Sequence, residues 1–149
     1  MMQILNTIHH QIDNTRLYEL VSWVRAEQGN PTVKSISFNN KADNYQYTGT
    51  ANQRTKEIKI NIGKRLLSMR YRRVITGGRT VLIDPCGIEE TVIVSAAHEM
   101  AHLKLRGTFH KQVHEREYEA LQEWRKLHPS SSVKRFVYAI ITFFLMKMD

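Results

Sequence analysis

Residues 89–124 read "EETVIVSAAHEMAHLKLRGTFHKQVHEREYEALQEW", and how this stretch folds decides the rest of the chain. Ile88, Val92, Ala96, Met100 and Leu103 recur at helical spacing, so a helix with an apolar side is expected from about Ile88. Gly87 or Asp84-Pro85 can open it, and Glu89 and Glu90 suit the positive end of its dipole. Gly107 sits where a left-handed cap would end it. A second helix is expected from about His110 to Leu127, stopped by "HPSSS" at 128–132.

The first of these helices carries "HEMAH" at 98–102. Residues four apart stack on one helix face, so His98 and His102 can aim both imidazoles at one ion. Zinc takes such nitrogens at about 2.0–2.1 Å, and a catalytic zinc needs three protein ligands and an open position. Glu99 is placed to act as general base on a water there. Two histidines and a glutamate inside so apolar a helix would otherwise cost desolvation, which favours chemistry over coincidence.

The third ligand is open on spacing alone. A straight helix would carry His114 about 18 Å beyond His102, so the chain must turn back, and "LRGT" at 105–108 offers the break. His110 and His114 are again four apart, and Glu115, Glu117 or Glu119 would suit a site of two histidines and one glutamate. The metzincin spacing fails, because Leu105 stands where Gly is required and Thr108 where His is required.

The segment from His98 to Trp124 resembles the SprT-like family of zinc metallopeptidases. It has the H-E-x-x-H, a loop, and then a His followed four residues later by an aromatic, here His114 and Tyr118. Leu121 and Trp124 continue the apolar stripe, and the upstream order of helix, small sheet and motif helix is similar in pattern. The resemblance implies a zincin-like protease in which His98, His102 and His114 hold one zinc ion and Glu99 is the general base. It leaves His110 as a loop or helix-start residue. For the DNA-crosslink-repair branch it also implies a link to DNA. Two positions depart from the family: Glu115 follows His114 where Gly is frequent, and a single cysteine permits no downstream zinc ribbon.

Read from the residues, Tyr118 and His110 are candidates to steady an oxyanion. Upstream, Leu5, Ile8, Ile12, Leu17, Leu20, Val21 and Val24 predict a helix over 3–27, ended by "GNP" at 29–31. His9 and His10 would lie on its polar face and Trp23 in the core. "VKSISF" (33–38), "EIKINIG" (57–63) and "RTVLID" (79–84) predict three strands, the second with a clean period of two; the segment between the first two reads as a loop or irregular edge. The expected fold class is therefore α+β: an N-terminal helix, a small, mostly antiparallel sheet of about three strands, the motif helix, and a following helix with the third ligand.

At 149 residues the chain has room for one ordinary domain, taken as 1–149. One cysteine, Cys86, excludes an internal disulfide framework and any four-cysteine zinc module. The start "MMQILNTIHH" does not read as a secretory signal, so a cytoplasmic protein is expected. The balance of 22 Lys+Arg against 14 Asp+Glu leaves +8, much of it in "KRLLSMRYRR" at 64–73. That stretch reads first as a solvated basic face, and alternatively as a phosphate-contacting patch for nucleic acid through Arg70, Arg72 and Arg73. The final segment, "VKRFVYAIITFFLMKMD" (133–149), has an apolar run from Phe136 to Met146, short of the roughly 20 residues a membrane span needs. It reads as a helix or strand closing the core, with a membrane-surface or partner-binding tail as the rival.

Overall fold

The computed structural model describes residues 1–41, 48–63, 69–105, 110–129 and 132–148. Strand β1 (Gln3–Asn6) leads through a turn to helix α1 (Asn14–Glu27), followed by β2 (Ser35–Asn39), β3 (Thr48–Asn52) and β4 (Glu57–Asn61). A hairpin of β5 (Tyr71–Val74) and β6 (Thr80–Ile83) precedes α2 (Gly87–Lys104), α3 (His110–Leu127) and α4 (Ser132–Met148). The class is α+β, as expected.

The sheet corrects the expectation of a mostly antiparallel arrangement of about three strands. Its order is β1-β2-β4-β3; β1 with β2 and β2 with β4 run parallel, and only β3 with β4 runs antiparallel. The strand read from "RTVLID" pairs instead with β5 in a separate two-stranded sheet. The predicted helix over 3–27 is also shorter. Ile4 and Leu5 point to opposite sides of a strand, and Leu5 is exposed, as the pleat requires. Ile8 and Ile12 are buried from the turn that follows, and α1 starts where the Asp13 side chain accepts the Arg16 N–H at 2.8 Å. The helical spacing thus identified Ile8, Ile12, Leu17, Leu20, Val21 and Val24 as buried, while including the exposed Leu5 and misassigning the conformation of the first residues. His9 and His10 lie in the turn, exposed, rather than on a helix.

Strands β2 and β4 follow their patterns. Ile36, Phe38, Ile58 and Ile60 face the core, and Lys59 faces out. Most of that core's other wall is α2, whose Val92, Ile93, Ala96, Ala97 and Met100 are fully buried. Burying each of the larger of these side chains stabilises the fold by about 1.5–3 kcal/mol. α1 is tied to the start of α2 by the Arg16 guanidinium, which donates to both Glu89 carboxylate oxygens at 2.7 and 2.9 Å. Trp23 of α1 meets Trp124 of α3 edge to face, with ring centres 5.2 Å apart. Arg125 of α3 donates to Asp84 at 2.8 Å and to Glu90 at 2.8 Å, fixing α3 against the start of α2.

The C-terminal segment forms a helix, but its described side chains do not close the core: Phe136, Phe143 and Phe144 are more than half exposed. No helix among the described residues is long and apolar enough to cross a membrane. The turn expected around Gly107 and Thr108, and the basic residues Lys64 and Arg65, lie outside the described residues.

Candidate metal centre

Helix α2 is buried along most of its length, so whatever it carries on its open flank is held rigidly. His98 and His102 are there, part-buried, one turn apart. Their Nε2 atoms lie 3.1 Å from each other. Two imidazole nitrogens sharing one tetrahedral zinc at the usual bond length lie about 3.3 Å apart, so the pair is spaced for a common ion. Crowding by burial, then by His98 and His110, holds the His102 pKa down to about 4, which keeps its lone pair available at neutral pH.

Helix α3 crosses this flank and brings two more rings. The His114 ring centre is 5.7 Å from that of His98, and the His110 ring centre is 5.3 Å from that of His102. His110 is exposed, whereas His114 is part-buried. The crossing of α2 and α3 gathers all four motif-region histidines at one place.

Beneath the rings lies Glu117, 1% exposed. Its Oε2 stands 2.7 Å from His114 Nδ1 and 3.2 Å from His98 Nδ1. His98, His114 and Glu117 form a group that could hold a metal ion. The same contacts also suit Glu117 to an outer role: a carboxylate against Nδ1 fixes a ring's tautomer and turns Nε2 outward. Burial lowers the His98 pKa, but Glu117 and Glu99 outweigh it and raise the net value. Glu117 itself accepts a hydrogen bond from Tyr71 Oη at 3.2 Å, so hairpin strand β5 buttresses the centre.

Glu99 is 3% exposed, with Oε1 3.9 Å from His98 Nε2, on the side where the two Nε2 atoms converge. Burial pushes its carboxyl up to about 6; His98 opposes the rise and Glu117 adds to it. The carboxylate lies under Gly49 of β3 so closely that a Cβ at Gly49 would fall 2.6 Å from Glu99 Oε1. Glycine is needed there for close approach of the sheet edge to the motif glutamate.

Of the residues singled out in the sequence, His98, Glu99, His102, His110, His114 and Glu117, one of the three glutamates open as third ligand, are thus brought together. Of these, His98, His114 and Glu117 form the group that could hold a metal ion, with His102 outside it. Tyr118 is not among them: its ring joins the apolar cluster of Ile75, Val81, Ile83, Val94 and Leu121, with the Arg79 guanidinium 5.9 Å above it. The tyrosine bonded into the centre is Tyr71, which no spacing rule pointed to. Glu117 carried a signal, because it occupies the buried stripe of α3 with Val113, Ala120, Leu121 and Trp124, where a carboxylate is costly without partners. Arg70, Arg72 and Arg73 are exposed, and Arg73 stacks its guanidinium 4.7 Å from the Tyr71 ring centre. Arg73 also opposes protonation of His98, so it belongs to the edge of the centre as much as to a basic patch.

No protein-family model matches the chain, and comparison with curated proteins and with solved structures finds no match.

Proposed function

We propose that the protein is a zinc-dependent endopeptidase of minimal size with a zincin-like active site. The observation that carries this reading is the convergence of His98 Nε2 and His102 Nε2 at 3.1 Å beside the Glu99 carboxylate. In this reading His98, His102 and His114 hold the zinc, Glu117 orients His98 and His114 from behind, and His110 stands at the exposed mouth. A zinc ion bound there supplies an acidified water and a Lewis acid for the scissile carbonyl. Glu99 takes the water's proton and returns it to the departing amine. Its raised pKa in the metal-free protein suits a group that must both accept and release a proton near neutrality.

The substrate class is a protein or peptide. Among the described residues β3 is the last strand of its sheet, and Glu99 packs against one face of that strand at Gly49. An extended peptide added along the outer edge of β3 would pair by backbone hydrogen bonds and bring a carbonyl over the histidines. The resemblance of residues 98–124 to SprT-like peptidases agrees with this assignment.

The test is Glu99→Gln. Zinc content should persist at one ion per chain while cleavage of an unfolded substrate such as casein disappears; cleavage equal to the parent's would end the mechanism. A second reading rests on His110, whose ring lies as near His102 as a fourth ligand would. Four histidines would close the site and make the metal structural, leaving the exposed Arg70, Arg72 and Arg73 to bind nucleic acid. That reading requires DNA binding that falls steeply with salt and is lost when the three arginines are replaced.

A further inference from the structure

Helix α4 has no place in the peptidase reading. Its Phe136, Phe143, Phe144 and Met146 are 58–67% exposed, and Val137, Ile140, Ile141 and Leu145 are exposed as well. Val137, Ile141, Phe144 and Met148 recur at i, i+4, i+7 and i+11, and Phe136, Ile140 and Phe143 form a second row beside them. Two adjacent rows make an apolar face broader than the two-position seam of a coiled coil.

The segment is predominantly cationic: between residues 132 and 149 the charged residues of the sequence are Lys134, Arg135 and Lys147 against Asp149, a net +2. Lys147 Nζ lies 5.4 Å from the Phe143 ring centre, so a cation borders the apolar face directly. A second copy of the helix would bring like charges together, whereas an anionic lipid surface would neutralise them. The helix is about 26 Å long and its apolar run from Phe136 to Met146 covers about 16 Å, against about 30 Å of bilayer hydrocarbon. It is therefore suited to lie in the interface and not to cross it.

We propose that α4 is an interfacial helix that docks the protein on anionic membrane surfaces, with its phenylalanine face in the acyl boundary and Lys147 beside it at the headgroups. The proposal stands independently of the metal centre. It is tested by co-sedimentation of the full chain with phosphatidylcholine vesicles, with and without phosphatidylserine. Binding is expected to the phosphatidylserine vesicles, to weaken as salt is added, and to fall at least tenfold in the Phe143→Glu/Phe144→Glu double variant. Both rings are already exposed, so this variant should keep the parent's circular dichroism and melting temperature. A second variant, Lys134→Gln/Arg135→Gln/Lys147→Gln, should lose the preference for phosphatidylserine while keeping the fold. Three results would overturn the proposal: no pelleting with either vesicle, equal pelleting of parent and double variant, or a concentration-dependent dimer that Phe143→Glu/Phe144→Glu dissolves while vesicles bind neither form.

Discussion

Replacing Gly49 by alanine measures how closely the sheet edge is fitted to the motif glutamate. The added Cβ would lie 2.6 Å from Glu99 Oε1, 2.9 Å from Cδ and 3.1 Å from Cγ, where ordinary contact begins at 3.4 Å. Relief requires the carboxylate or the strand to move by about 0.8 Å, and Glu99 has little room, being 3% exposed. Overpacking of this kind costs about 1–3 kcal/mol. Against it stands the gain of about 0.5–1 kcal/mol from replacing glycine within a strand. Gly49→Ala should thus be neutral to destabilising by about 2.5 kcal/mol in the parent. In a Glu99→Ala background the obstruction is gone, and the same change should stabilise by about 0.5–1 kcal/mol. Urea unfolding of the four chelator-treated proteins gives the coupling directly, expected at about 1–3 kcal/mol. Additive effects, within about 0.5 kcal/mol, would refute the close approach. In the zinc-loaded protein the same displacement of the base should lower kcat about 100-fold with zinc retained.

Three further outcomes follow from the geometry. Glu117→Gln should weaken zinc binding about 10–100-fold in a chelator competition, and Tyr71→Phe should weaken it less, because the Tyr71 hydroxyl bonds to Glu117 and not to a histidine ring. In the metal-free protein, Glu99 has a folded-state pKa raised from 4.5 to about 6, so its ionisation opposes folding. The cost begins as pH rises through about 4.5, is complete above about 6, and amounts to about 2 kcal/mol; Glu99→Gln should therefore stabilise the apo protein at pH 8 and confer no advantage at pH 4. Arg125→Met breaks the ion pair of the Arg125 guanidinium with Glu90, 4% exposed, and should cost about 3–5 kcal/mol in thermal or urea unfolding.

The two helices α2 and α3 were legible in the sequence because apolar residues recur at helical spacing from Ile88 to Leu103 and from Val113 to Trp124. Strands β2 and β4 were legible because Ile36 and Phe38, and Ile58 and Ile60, alternate with polar residues. What the pattern could not give was pairing. β1 is four residues long, shares its apolar positions with a helical template, and becomes a strand only because β2 lies parallel beside it. β3, "TGTAN", has no apolar alternation to detect, and it is held in the sheet by backbone pairing with β4. At the centre, His98, Glu99 and His102 were readable from spacing along one helix, and His110 and His114 as a second pair four apart on the next. Tyr71 and Gly49 were not, since both reach it across long sequence separations from other strands. For the C-terminal segment the sequence left a core-closing element and a membrane or partner contact side by side, because an apolar composition says that a segment seeks cover, not whether its own chain supplies it.

The central claim is that three imidazoles and a solvent oxygen share one zinc ion. Zinc K-edge absorption on the stoichiometrically loaded protein tests it most directly. The account predicts three nitrogen neighbours with imidazole scattering at about 2.0–2.1 Å and one oxygen, unchanged in His110→Ala and reduced by one imidazole in His114→Ala. A shell of four imidazoles that loses one in His110→Ala, or no stoichiometric zinc at all, would contradict it.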